Sequence, residues 1–290
     1  MANLNEIRQH QRAVEQTRQI TNAMYLLSTS RMRKAMLRVD YNLTYMNRLR
    51  ATIKDILLKS ESLQHLYAGR EKHGNALFIV ISSDKGMCGS YNSSVLNLAM
   101  QMLRQFPSAQ VGSIGLFGNE YFANHKIEPV VEWFGASQKP SLFYARQIGE
   151  GALNMYEQNT VDEVYVVYTH YKNVSIQTPR CIRLLPLNIR DFDDISVEYE
   201  YSADVLYSPT PEKVFDRIVP QYVIGMIYDM LNLSSASEHA ARMNAMQSAT
   251  SNADKMLHSL TAEYNATRQL IITNEITEIA ASSELLRRSV

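Results

Sequence analysis

A chain of 290 residues, 46% apolar and 20% charged, is long enough for one large or two ordinary domains and has the composition of a folded protein, not of a disordered one. It has no apolar run of about 18 residues, which excludes a bilayer-spanning helix. Its polar start, MANLNEIRQH, lacks the hydrophobic centre of a signal peptide, so the protein is expected to work where it is made or on the face of a membrane. The 29 basic and 29 acidic residues cancel, yet residues 1–68 hold eleven Lys and Arg against five Asp and Glu. Such a basic segment suits nucleic acid or an acidic protein surface; the missing base-stacking aromatics and helix-turn-helix pattern count against nucleic acid. Cys88 and Cys181 lie in different predicted elements and form neither a disulfide framework nor a CxxC metal site, so buried free thiols are expected.

Residues 3–68 contain no Gly or Pro, and Ile7, Val14, Thr21, Met24, Ser28, Met32, Ala35, Val39, Leu43, Met46, Leu49, Ile53 and Ile56 mark one helical seam. Glycines and a polar run at 69–74 end that helix. Residues 76–82 (ALFIVIS) form a short apolar run expected of a strand covered on both faces, followed by a glycine-bearing turn at 83–89 and a helix over 93–106 that Pro107 stops. A second strand is expected at 111–117, then a short helical piece, an apolar run at 130–134, a helix over 141–156 and a buried strand at 163–169 (EVYVVYT). Alternation of this kind predicts a doubly wound, largely parallel α/β sheet, with residues 174–187 and 196–201 as partly antiparallel strands at its edge.

The last helix is expected to begin near Glu212, and from Met226 onward it has no Gly or Pro. Met243, Met246, Ala249, Ala253, Met256, Leu260, Tyr264, Thr267 and Ile271 follow at steps of three or four, averaging the coiled-coil period of about 3.5. The seam is thin and rich in Ala and Met, which lets a partner helix come close. The helix over 3–68 is the expected partner. Two such helices pair antiparallel only if the segment between them sits at one end, which predicts a stalk with a head. The domains are therefore 1–68, an N-terminal coiled-coil helix; 75–208, a Rossmann-like α/β domain; and 209–290, the C-terminal helix pairing with 1–68.

The turn Asp84 to Ser90 sits where dinucleotide folds place a phosphate loop, but it matches neither GxGxxG nor GxxxxGK[ST], and no acidic residue closes the next strand to hold a ribose. A close-packed strand-to-helix turn is the default reading. No nucleophile, base and orienter set is visible, and Glu238-His239 is not HExxH. Arg31, Arg33 and Lys34 read equally as a solvated helix face, but they follow the apolar block 23–27, whose width exceeds what one seam requires. Apolar surface beside basic surface is what a surrounding protein would grip. The polar cluster around Arg268, Gln269, Thr273, Glu275 and Glu278 reads equally as ordinary helix surface.

The segments TNAM (21–24), SRMRKA (30–35), SSDKGMCG (82–89), AARMNAM (240–246), YNATRQ (264–269) and ITNEITEI (272–279) closely resemble, in this order, the gamma subunit of F-type ATP synthases. The resemblance, of the bacterial type, implies an antiparallel coiled coil with an inserted Rossmann-like domain that binds no nucleotide. It also implies a rotor shaft turning inside a ring of three alpha and three beta subunits, with no catalytic residue, cofactor or metal of its own. By the same match Met24, Arg31, Arg33 and Lys34 would lie near acidic loops of the beta subunits. Arg242, Arg268, Gln269, Thr273, Glu275 and Glu278 would meet the collar higher up. Tyr207 would face the epsilon subunit and the membrane rotor ring. The implied location is peripheral, on the cytoplasmic face of a bacterial plasma membrane, without insertion into it. Asn22 stands where the family usually has Lys, GSYN (89–92) where it has GGLN, TNEITE (273–278) where it has TQELTE, and Ser208 where an acidic residue is common. The lost charges at Asn22 and Ser208 bear on polar contacts to beta and to the ring, and no cysteine-pair insert of the plastid type is present. A non-rotary coiled-coil adaptor and a Rossmann-like enzyme with helical arms are the competing readings; binding of ATP, NAD or FAD would favour the last.

Overall fold

The computed structural model describes residues 4–59, 65–68, 74–195 and 207–288. Two helices dominate it, α1 (Leu4–Lys59) and α5 (Pro211–Arg288). Every seventh residue of α1 from Ile7 to Ile56 is buried or half-buried, namely Ile7, Val14, Thr21, Ser28, Ala35, Asn42, Leu49 and Ile56. A second series, Gln11, Arg18, Tyr25, Met32, Val39, Met46 and Ile53, behaves the same way. Two heptad series three and four residues apart make the seam of a coiled coil.

Three sequence expectations are corrected. Leu43 is 53% exposed and Asn42 takes its seam position; Met256 is 48% exposed and Leu257 packs inward instead. A seam that advances by three or four leaves such neighbouring apolar positions undecided until the partner helix chooses between them. The described helix spans Leu4–Lys59, and inside the 3–68 stretch expected to be helical His65–Ala68 form a bridged turn. There Tyr67 is buried 6.3 Å from the Tyr156 ring, and its carbonyl accepts from Leu187 N at 2.8 Å, so tertiary contacts outcompete helix continuation.

The chain divides into two units, Met1–Leu27 with Met243–Val290, and Ser28–Arg242. In the first, Ile7 and Val14 of α1 pack with Ala253 and Leu260 of α5, and the Thr21 and Thr250 hydroxyls meet at 2.8 Å, so the two helices run antiparallel.

The second unit holds the sheet, in the order β3-β2-β1-β4-β5: β1 (Asn75–Ile81), β2 (Ser108–Ile114), β3 (Val131–Trp133), β4 (Glu163–Tyr171) and β5 (Gln177–Leu185). The first four are mutually parallel and β5 runs antiparallel to β4, as the sequence predicts for an edge. Between them lie α2 (Tyr91–Leu103), α3 (Leu116–Asn124) and α4 (Leu142–Glu157). The period-two geometry of β1 sends Ala76, Phe78 and Val80 to one face, against Val95, Leu96 and Ala99 of α2. Leu77, Ile79 and Ile81 go to the other, into a core shared with α4, Ile53 and Ile56 of α1, and Phe215, Val219 and Val223 of α5. Each of the larger of these buried side chains is worth about 1.5–3 kcal/mol. The expected strand at 111–117 ends earlier, at Ile114, because Gly115 (φ 96°) turns the chain into α3 against the Ser82 carbonyl. The strand expected at 196–201 lies outside the described residues.

Candidate functional site

In the first unit the interface between α1 and α5 is narrow. Its cluster of Ile7, Val14, Ala253 and Leu260, with Leu257 and Tyr264 packed against it, is flanked by polar contacts at the rim. Arg8 lies 5.1 Å over the Tyr264 ring, Gln11 Nε2 donates to Thr261 Oγ1 at 3.3 Å, and Arg18 reaches Asp254 at 3.5 Å. A seam this thin leaves most of both helices uncovered. Met24 is half-buried, while Arg268, Gln269, Thr273, Glu275 and Glu278 are all exposed on α5. Among them stand the exposed apolar residues Leu270, Ile272, Ile276 (61%) and Ile279 (69%), and Leu26 and Leu27 are exposed on α1. Large aliphatic side chains interleaved with acid and amide groups suit a protein partner better than water.

In the second unit Arg31, Arg33 and Lys34 are exposed on α1. Tyr207 is tied inward: half-buried, it packs against the main core and its hydroxyl donates to the Asp55 carboxylate. Arg242 is likewise turned inward. At 7% exposure, its guanidinium donates to Glu238 Oε1 at 2.7 Å, to the Lys85 carbonyl at 3.0 Å and to the Gly86 carbonyl at 3.1 Å. Its polar atoms are thus engaged within the chain.

That clamp explains what the β1–α2 turn does. In an open α/β sheet a ligand sits at the carboxyl ends of the strands where the order reverses, here between β1 and β4. In this chain α5 fills that place. Ser234 Oγ accepts from Thr169 N at 3.3 Å, Ser237 Oγ donates to Thr169 O at 3.1 Å, and Arg242 lies on the turn after β1. The turn offers carbonyl oxygens to a cation, the opposite polarity to a phosphate cradle. Its side chains close on themselves, with Asn92 Nδ2 donating to Ser83 Oγ at 2.7 Å and Ser137 Oγ to Asp84 Oδ2 at 2.8 Å.

The titratable groups around the clamp are set for packing. Burial, reinforced by the Arg242 and Arg31 charges, pushes His239 down to about 4, so it stays neutral. Burial pushes the Glu238 carboxyl up while the Arg242 charge opposes it. Burial also raises the Cys88 thiol, and raises Cys181 to about 11, which keeps both thiols protonated and unreactive. Among the described residues no three His, Cys, Asp or Glu side chains gather into a metal-binding group.

Sequence reasoning passed over Asn42, whose Nδ2 donates to Asp229 Oδ1 at 2.9 Å in the α1–α5 seam. Counting by sevens from Ile7 would have found it. Arg38, whose Nη1 donates to the Pro140 carbonyl at 3.2 Å, and Arg50, paired with Asp194, carry no such signal, because their partners are fixed only by the fold.

Comparison with known proteins places this architecture. The ATP synthase family profile matches residues 3–286. The ATP synthase gamma chain of Caldanaerobacter subterraneus subsp. tengcongensis is 36% identical, covering 94% of this chain and 97% of the relative. The gamma chain of Acetivibrio thermocellus is 35% identical over 99% of this chain and its own full length. Among solved structures, a chain of the Euglena gracilis mitochondrial ATP synthase, in its OSCP/F1/c-ring assembly, superposes with a TM-score of 0.67 at 15% identity, covering 98% of this chain and 94% of that one. A chain of the central stalk and c-ring of the Tetrahymena thermophila enzyme gives 0.61 at 23% identity, covering 79% and 99%. These two likenesses speak to the fold.

Proposed function

Because this chain belongs to the ATP synthase gamma-chain family, we propose that it is the central rotor shaft of an F-type ATP synthase, a non-catalytic subunit. Ion-driven turning of a membrane ring is transmitted through it to three catalytic beta subunits. The observation that carries the reading is the narrow antiparallel seam between α1 and α5, which joins two helices while leaving their outer faces free for partners. A rotating shaft must bind a collar loosely enough to slip from one beta subunit to the next, and must differ from side to side so that each catalytic site meets a different face.

Its partners are the alpha and beta subunits of the catalytic hexamer, the epsilon subunit and the ring. No helix among the described residues is long and apolar enough to cross a membrane. We place the protein at the cytoplasmic face of a bacterial plasma membrane, held there by the ring. The helical segments 1–68 and 209–290 serve as shaft and 75–208 as the interaction domain. Met24, Arg31, Arg33 and Lys34 face acidic loops of the beta subunits, and Arg268, Gln269, Thr273, Glu275 and Glu278 face the collar. Arg242 belongs to the same set of proposed collar contacts. Tyr207 marks the approach to epsilon and ring.

Co-expression with alpha and beta subunits tests the reading. The expected product is a defined complex of three alpha, three beta and one copy of this chain, whose ATP hydrolysis depends on it. Recovery of the chain alone, or as an undefined aggregate with them, would support the non-rotary adaptor instead.

A further inference from the structure

Between β5 and α5 the chain makes a long connection, and both of its described ends are fastened to the same stretch of α1. At the near end, Arg50 grips Asp194 bidentately, Nη2 to Oδ1 at 2.6 Å and Nη1 to Oδ2 at 3.0 Å. Its Nη2 also reaches the Asp191 carbonyl at 3.3 Å, and the guanidinium stands 5.8 Å over the buried Phe192 ring. Lys54 Nζ donates to the Ile195 carbonyl at 2.7 Å. At the far end, the Tyr207 hydroxyl donates to the Asp55 carboxylate. Arg50 and Lys54 are i and i+4 on one helix face, with Asp55 beside them.

Stability alone is a poor reason for the Arg50–Asp194 pair. Asp194 is 66% exposed, and an ion pair that open to water adds little to a fold. Its bidentate geometry does fix direction, and the two backbone carbonyls are held whatever side chains the connection carries. A force applied to the connection is thereby delivered to α1 as well as along the chain into β5 and α5.

We infer that Arg50, Lys54 and Asp55 are positioning residues for rotary coupling, a brace that passes load from the β5–α5 connection into α1. This rests on the reading that Tyr207 and its surroundings approach the ring.

The test uses the complete enzyme in inverted membrane vesicles, with ATP hydrolysis and ATP-driven ion pumping measured together. Arg50→Asp with Lys54→Met is expected to leave hydrolysis within about twofold while pumping per ATP falls at least about threefold. Adding Asp194→Arg to Arg50→Asp restores the pair with reversed polarity and should recover most of the pumping ratio; a merely structural role would instead lower assembly and hydrolysis together with pumping in the unpaired variant. Should the first variant fail to assemble, Asp194→Asn, on an exposed side chain, provides the same reading with a smaller drop. An unchanged pumping ratio in Asp194→Asn and in whichever α1 variants assemble overturns the inference. Ser208→Cys in the otherwise unaltered chain, tested for disulfide crosslinks to single cysteines on the ring's polar loops, reports separately on the underlying reading. Crosslinks with silent brace variants sink the brace alone, whereas no crosslinks and silent variants sink both.

Discussion

Asp229 is a carboxylate that the α1–α5 seam keeps at a cost, and replacing it with its neutral isostere should stabilise the protein in a pH-dependent way. Burial raises its carboxyl from 3.8 to about 6, against the smaller opposing effect of the Asn42 amide that donates to it. Between those two values the unfolded chain has lost this proton while the folded chain keeps it, so stability falls as pH rises through the window. At about 1.4 kcal/mol per tenfold change in proton affinity, the penalty grows to about 1.6 kcal/mol at pH 5 and levels off near 3 kcal/mol by pH 8. Asp229→Asn removes the charge and keeps an amide partner for Asn42. Urea unfolding of variant and parent at both pH values should show the variant more stable, with the gap widening by about 1.4 kcal/mol from pH 5 to pH 8. A gap independent of pH, or a variant less stable at pH 8, would refute the assignment of the penalty to this carboxyl. The pair has a structural use that offsets the penalty: one polar contact at a heptad position fixes the register of two helices whose Ala- and Met-rich seam would otherwise tolerate sliding.

Further outcomes follow from the same contacts. Reversing the charge of Arg33 and Lys34 together, both exposed on α1, should leave the thermal midpoint of the chain nearly unchanged while impairing ATP-driven ion pumping by the assembled enzyme; unimpaired pumping would remove their role at the beta subunits. Arg242→Ala strands the buried Glu238 carboxylate and two turn carbonyls, and should cost about 3–5 kcal/mol by denaturant titration. Gly115→Ala forces a Cβ against the Ser82 carbonyl at a positive φ, and is expected to lower the yield of folded protein or its midpoint by more than about 1 kcal/mol. At pH 8, Cys88 and the half-buried Cys181 should react with a thiol reagent more slowly than in urea, because desolvation keeps both protonated.

The sequence by itself determined the two long helices, most of their seam and the alternation of strands and helices between them, since these rest on local signals: heptad spacing without Gly or Pro in α1, the apolar run of β1, and Gly and Pro at the turns. It also showed that the turn at 83–89 matches neither phosphate-loop template. Only the tertiary structure decided which of two adjacent apolar residues enters the seam, as at Met256 and Leu257, and that Tyr67 leaves the helix for the core. It alone turned Arg242 inward, because a guanidinium looks the same in sequence whether it meets solvent, a partner or two backbone carbonyls 156 and 157 residues away. Periodicity records which face of a helix is covered; which distant atom satisfies a charge depends on where the whole chain brings its polar groups together.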